Sequence, residues 1–485
     1  MTRDTLKKYL GGKRFWKQTL MLALPIAFQN LLTSSFLLVD TLMVGQLGDV
    51  ALSSVGMAGQ WSWLLNIVVF GICSGSSVFV AQYWGVKDVK GIHKITGIAL
   101  TLGMIITALF VCFGFFAPQT VVWIFNKNAE VISTGSSYLK IACFSYPGSV
   151  LGLLLGAILR SVEDVKLPMY SALFTAVLNG ILDYCFIFGA FGLPAMGVKG
   201  AAIATCISAW LGPIIIIGLS IAKKNILYMP IKELFGFDKS LVLQFLKTAS
   251  PVVLNETLWG LGTFLYNVIF ANLGHENYAA VTILKTIENI AYVFFIGMCN
   301  ACCVMLGKNV GAGKFKEAIR DSRRFGVIIP LLGLFVGINI LIFRSKLIGL
   351  FNMQGQITQT TMNVAMIISM LYALELPIRN IPYAFIVGIF RSGGDTVNGA
   401  KMDLISLWII ALPLTFILAY VVKAPFVVVY AAMYVGEDYL KCFLCIRHYL
   451  SYKWIKPVTA EGKKELEAFM AERNAKDKKA VSYAK

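Results

Sequence analysis

Long apolar runs alternate with short basic or glycine-marked stretches along the whole chain. The runs fall near 16–46, 53–83, 93–116, 132–159, 167–190, 198–222, 242–272, 278–307, 319–343, 357–390, 398–422 and 424–450. At a helical rise of about 1.5 Å per residue, each can cross a hydrocarbon core of about 30 Å. None shows the apolar–polar alternation of a membrane barrel strand. The pattern predicts an all-α integral membrane protein with twelve transmembrane helices.

Composition agrees, because 58% hydrophobic and 14% charged residues in a chain of 485 leave too little polar cover for a soluble surface. The net charge of +18 reads as topology once its residues are placed. Lys and Arg gather in the N-terminal arm, in 84–96, 160–166, 223–247, 308–324 and 391–401, and in the tail from Lys441. The opposite loops hold only Lys127, Lys199, Arg344, Lys346 and Lys423. The positive-inside rule then puts both termini in the cytoplasm, and the charge calls for no nucleic-acid partner. The first run lacks a small-x-small cleavage site and exceeds a signal-peptide core, so it is expected to be retained. The cysteines, mostly within runs, read as free thiols.

A shift of 226 residues brings Pro25 onto Pro251, Leu47-Gly48 onto Leu273-Gly274, Gly71 onto Gly297, Gly85 onto Gly311 and Lys90 onto Lys316. After a five-residue insertion, Arg160-Ser161 and Asp164 fall on Arg391-Ser392 and Asp395. Six spans per half is an even number, so the halves are parallel repeats related by an axis along the membrane normal. The expected division is an arm over 1–15, a first lobe over 16–222, a linker over 223–241, a second lobe over 242–450 and a tail over 451–485. Beyond Pro457 the tail is polar, and it is expected to be a short amphipathic or disordered segment dispensable for function.

The scaffold repeats but its charges do not. Asp40 aligns with Tyr266, Glu256 with Asn30, Asp183 with Leu414 and Asn179 with Ile410. Carboxylates inside hydrocarbon are costly and usually face a cavity, pair, or carry ions. Asp40 lies five residues before Gly45 and Asp183 six before Gly189, which puts both about 8–9 Å below a turn. Asn179 is one turn from Asp183 on the same face. Together they suit a proton or a small hard cation such as Na⁺; the alternative is that each Asp ties helix ends together. Glu256 is expected near mid-depth of the second lobe as a separate site for substrate or packing, with Tyr266 on the same helix. Pro25 is a candidate hinge in the first helix. Glu375 and Arg379, spaced i,i+4, are expected to neutralise each other, whereas Asp403, Glu437 and Asp438 are expected near cytoplasmic ends without a buried role. The scattered histidines and lone CxxC spacings support neither a catalytic triad nor a zinc site, so no enzyme and no bound metal or cofactor is expected beyond a proton or Na⁺ at Asp40, Asn179 and Asp183.

The segments LALPIAFQNLL and VDTLMVGQLGDVALSSVG, VAQYWGVKD, LRSVEDVKLPMY leading into LNGILDYCFIFG, and the duplicated GKNVGAGKFKEA and FRSGGDT resemble the multidrug and toxic compound extrusion (MATE) family over about residues 15–450. The resemblance implies two six-helix lobes, alternating access, and export of organic cations or drugs in exchange for H⁺ or Na⁺. It implies a monomer among the lipids of the cell membrane. It also implies that Asp40, Asn179 and Asp183 match a first-lobe cation site, and that Glu256 matches a seventh-helix acid. The tenth-helix acid of that branch is replaced here by Arg379-Asn380. The alternative is a lipid-linked-precursor flippase of the same superfamily, which would want a cationic cavity and more spans.

Overall fold

The computed structural model describes residues 9–351 and 357–483, with side chains through 473. Of the predicted arm, residues 1–8 fall outside the described residues, as do 484–485 of the tail. Twelve long helices follow one another: α1 Lys13–Gly45, α2 Asp49–Gly85, α3 Val89–Phe116, α4 Ala129–Ser161, α5 Lys166–Phe188, α6 Val198–Lys223, α7 Lys239–Asn272, α8 His275–Gly311, α9 Phe315–Phe351, α10 Gln359–Gly393, α11 Thr396–Val421 and α12 over 426–450. Among the described residues there is no strand, only one isolated bridge, Gly394 to Ile455. Ten of these helices are long and apolar enough to cross a membrane on that measure. The other two, α7 and α12, carry ionisable residues along their length, including Lys247 and Glu256 on one and Glu437, Asp438 and Lys441 on the other.

The apolar pattern carries the lengths well but not the irregularities. Proline lacks the N–H of a regular helix and crowds the preceding turn. Pro147 follows the tight turn Cys143–Ser145 that joins the two halves of α4. Pro377 and Pro382 precede a widened π stretch, Ala384–Phe390, in α10. Further π stretches occur at Ile405–Ala411, Ile417–Val421 and Val435–Tyr439. A period of 3.6 residues does not reveal such turns, which recur at functional sites in helices. By contrast α1 runs unbroken through Pro25, and α7 through Pro251.

The chain forms two compact units that do not follow a cut in the linker. One holds Pro25–Val80 and Val89–Val253; the other holds the residues through Leu24, Ala81–Asp88 and everything from Leu254. The chain thus changes unit inside α1 at Pro25, and inside α7 two residues after Pro251. In the first unit the start of α7 lies on α2, where Phe245 packs on Phe79 with ring centroids 5.7 Å apart. In the second, the start of α1 brings Phe15 to Phe325 at 5.1 Å. That unit's core gathers Phe270, Leu284, Phe295, Ile340, Ile368 and Leu376.

Of the two expectations for the polar tail, amphipathic or disordered, the structure has a helix, α13 Ala460–Tyr483. Phe469 packs on Phe315 with ring centroids 5.5 Å apart, Glu472 pairs with Lys316 at 3.5 Å, and residues 454–459 ahead of the helix include the fully buried Trp454.

Candidate functional site

In the first unit, α1 and α5 meet along three successive turns. Phe36 approaches Gly180, whose missing side chain leaves room for the ring at 3.7 Å from an added Cβ. One turn on stand Asp40 and Asp183. One turn further, Val44 and Ile187, each essentially fully buried, join one small apolar cluster with Ala51 and Ala201. Residues spaced i,i+4 lie on one helix face. The shared cluster of Val44 and Ile187 therefore brings Asp40 and Asp183 to the same level of the two helices, within electrostatic reach of each other.

Asp183 is fully buried, yet neither of its carboxyl oxygens has a hydrogen-bond partner. Oδ1 of Asp40 and Nδ2 of Asn179 are likewise buried and bare. Buried polar groups in folded proteins are nearly always paired, and a bare one costs about 1–3 kcal/mol. Three bare carboxyl oxygens can take a proton or a hard cation, and the bare Nδ2 of Asn179 one turn away is an N–H donor available to a carboxylate. The phenol of Tyr138, on α4, completes the wall and lies within electrostatic reach of both Asp40 and Asp183. Tyr138 does not stand out in the sequence. Its signal was only a polar-tipped ring in the first half of a span, which many packing tyrosines share.

The second-unit candidates separate. Glu256 is ion-paired with Arg391, whose side chain is 4% exposed. Tyr266, ten residues and about 15 Å of rise further along α7, stacks on Phe270 and leaves its hydroxyl bare. The two do not share a site. Arg379 pairs with Asp438 at 3.3 Å rather than with Glu375, correcting the i,i+4 expectation. Glu375 accepts a bond from Tyr439 at 3.4 Å, and its other oxygen is bare.

Asp403, Glu437 and Asp438 are also not peripheral. Lys441, 5% exposed, reaches Asp403 at 2.7 Å and Glu437 at 3.1 Å, and Asn255 donates to Asp403 at 3.0 Å. Both adjacent acids lie in the π stretch of α12, which a regular helical wheel does not anticipate. Tyr434 donates to Glu288 at 3.2 Å, and Lys285 donates to Asn267. Apart from the bare oxygens of Glu375 and Asn255, this second set is a network of mutual partners, whereas three carboxyl oxygens of Asp40 and Asp183 in the first unit have none.

Known proteins agree with this architecture. The MatE family model matches residues 25–185 and again 251–417, and the chain belongs to that family of membrane transporters; it is not an enzyme. A probable multidrug resistance protein NorM of Thermotoga maritima is 27% identical over 459 residues, covering 93% of this chain and 96% of the relative. A probable multidrug resistance protein YoeA of Bacillus subtilis is 22% identical, covering 91% and 94%. Among solved structures, the Vibrio cholerae MATE transporter VcmN in a bent form superposes with a TM-score of 0.80 at 19% identity, covering 91% of this chain and 99% of that one. The eukaryotic MATE transporter AtDTX14 gives 0.76 at 20% identity, covering 94% and 99%. The chain is a multi-pass membrane protein of two MatE repeats.

Proposed function

We propose that the protein is a secondary antiporter that exports organic cations or drugs across the cell membrane in exchange for H⁺ or Na⁺, with Asp40, Asn179 and Asp183 holding the coupling ion. The observation that carries the reading is the fully buried, unpartnered carboxyl of Asp183 on α5, with the buried and bare Oδ1 of the half-buried Asp40 on α1, where an unpaired charge is expensive. Two facing acids without donors are stable only when something positive is shared between them. Asp40 and Asp183 then differ in charge between ion-loaded and ion-free states. Because the chain changes unit at Pro25, α1 is placed to pass that difference on, with Pro25 as hinge.

A ligand shifts a two-state equilibrium only through unequal affinity for the two states, and the coupling is reciprocal. A bound organic cation lowers ion affinity at Asp40 and Asp183 by the same factor that the ion lowers drug affinity. Glu256 is tied to Arg391 and is read as packing in the second unit. The termini are placed in the cytoplasm by the loop charges, and the working unit is a monomer.

The test is dye efflux from proteoliposomes under an imposed pH gradient or an imposed Na⁺ gradient. Uphill efflux under one gradient supports antiport and names the ion. Efflux under neither gradient, with lipid-linked substrates crossing instead, would support a flippase.

A further inference from the structure

The fully buried side chain of Gln82, near the end of α2, uses both ends of its amide. Its Nε2 donates to the carbonyl of Ser392 at 3.0 Å, and its Oε1 accepts from the backbone N–H of Val458 at 2.7 Å. One residue therefore joins α2, the end of α10 and the segment that follows α12.

Around it the repeat meets itself. Gly85 and Gly311 are equivalent by the 226-residue shift, as are Ala81 and Gly307. A Cβ on Gly85 would lie 2.1 Å from the carbonyl oxygen of Lys308, and one on Gly311 would lie 2.1 Å from that of Gln82. A Cβ on Gly307 would meet that of Ala81 at 2.8 Å. The ends of α2 and α8 thus cross backbone to backbone through equivalent residues.

The C-terminal segment covers this crossing from one side. Trp454 is fully buried against Gly393, and the N–H of Lys456 donates to the carbonyl of Gly393 at 2.7 Å. The hydroxyl of Thr459 donates to the carbonyl of Gly311 at 2.7 Å. Asp395 receives Lys456 at 2.8 Å and contacts His448 at 2.6 Å.

We propose that Gln82 is a positioning residue of the transport cycle, and that residues 454–459 are a strap it fastens across the α2–α8 crossing. Any state in which the ends of α2 and α8 part must break either the bond from Val458 to Gln82 or the bond from Thr459 to Gly311. The strap therefore sets how often that crossing opens. The contacts stand by themselves; the role in turnover rests on the alternating-access reading above.

The test is amide hydrogen exchange on the purified full-length protein, comparing wild type with Gln82→Met, which keeps the volume, and Gln82→Glu, which keeps only the acceptor for Val458. Losing both bonds is expected to speed exchange about tenfold in 80–88, 306–312 and 456–459, with α5 unchanged. Gln82→Glu should fall between. Exchange in 80–88 and 306–312 that stays at the wild-type rate in Gln82→Met overturns the proposal, whether or not the strap itself loosens. Faster exchange everywhere in Gln82→Met would move the decision to Gln82→Glu, read on the same peptides. Exchange does not depend on transport, so failure of the antiport reading leaves this result interpretable.

Discussion

Asp40 and Asp183 each stand one helical turn before a buried member of the same apolar cluster, Val44 and Ile187, and three of their carboxyl oxygens are buried without a hydrogen-bond partner. This arrangement opposes stability. Asp183→Asn removes one charge at constant size and is expected to stabilise the purified protein by about 1–3 kcal/mol in the absence of coupling ion. Thermal unfolding in detergent reads this directly. A lowered melting temperature would mean that the carboxyl has a partner that holds the fold.

Tyr138 packs against the cluster of Val44 and Ile187, within electrostatic reach of both acids. If its hydroxyl bonds a carboxyl in the ion-loaded state, Tyr138→Phe is expected to leave folding intact and to weaken ion binding roughly two- to tenfold, the worth of one hydrogen bond. Ion titration of drug-free protein measures the shift. An unchanged titration would return Tyr138 to packing alone.

Glu256 and Arg391 are expected to behave as a structural pair. Breaking a buried ion pair from one side costs about 3–5 kcal/mol, whereas replacing both partners with apolar groups is often neutral. Glu256→Leu and Arg391→Met should each lower thermal stability strongly, and the double variant should regain most of the loss. Failure of the double variant to recover would show that each residue has a separate task.

The strap has a defined pH behaviour through Asp395, which lies between α10 and α11. Burial alone would raise its pKa, but hydrogen bonds from His448, Lys456 and Asn398 outweigh that and hold it below the usual carboxylate value. For an acid with a depressed folded pKa, the stabilisation is fully present above the unfolded value, near pH 3.9, and is lost as pH falls through the folded value. The stability difference between wild type and Asp395→Asn should therefore contain a constant carboxylate contribution from about pH 5 upward, and should shrink only on acidification below about pH 4. A difference that instead grows on acidification would contradict this sign.

The twelve long helices and the repeat were legible because each is a local or periodic signal, and so was the placing of Asp40 and Asp183 at one level. Apolar length marks the helices, fixed offsets mark the repeat, and a lone Asp in hydrocarbon is conspicuous at Asp40 and Asp183. What it hid depends on contacts distant in the chain or on irregular turns. Tyr138 gains its role only when α4 meets α1 and α5. Asp438 and Glu437 turn inward in a π stretch that no regular period announces. Arg379 chose Asp438 over its own i,i+4 neighbour because α12 brought a carboxylate closer. The strap was hidden because it is short and follows the last span: its anchors are Trp454, Ile455 and Val458 with bonds from Lys456, Val458 and Thr459 to residues distant in the chain.

The central claim is that the charge on Asp40 couples ion to drug. Asp40→Asn keeps the size of the side chain and fixes it neutral. The decisive measurement is gradient-driven dye efflux by purified Asp40→Asn in proteoliposomes, alongside drug binding as a function of pH and Na⁺. Near-zero uphill efflux, with drug binding that has lost its response to the coupling ion, is the expected result. Wild-type uphill efflux by Asp40→Asn would contradict the account.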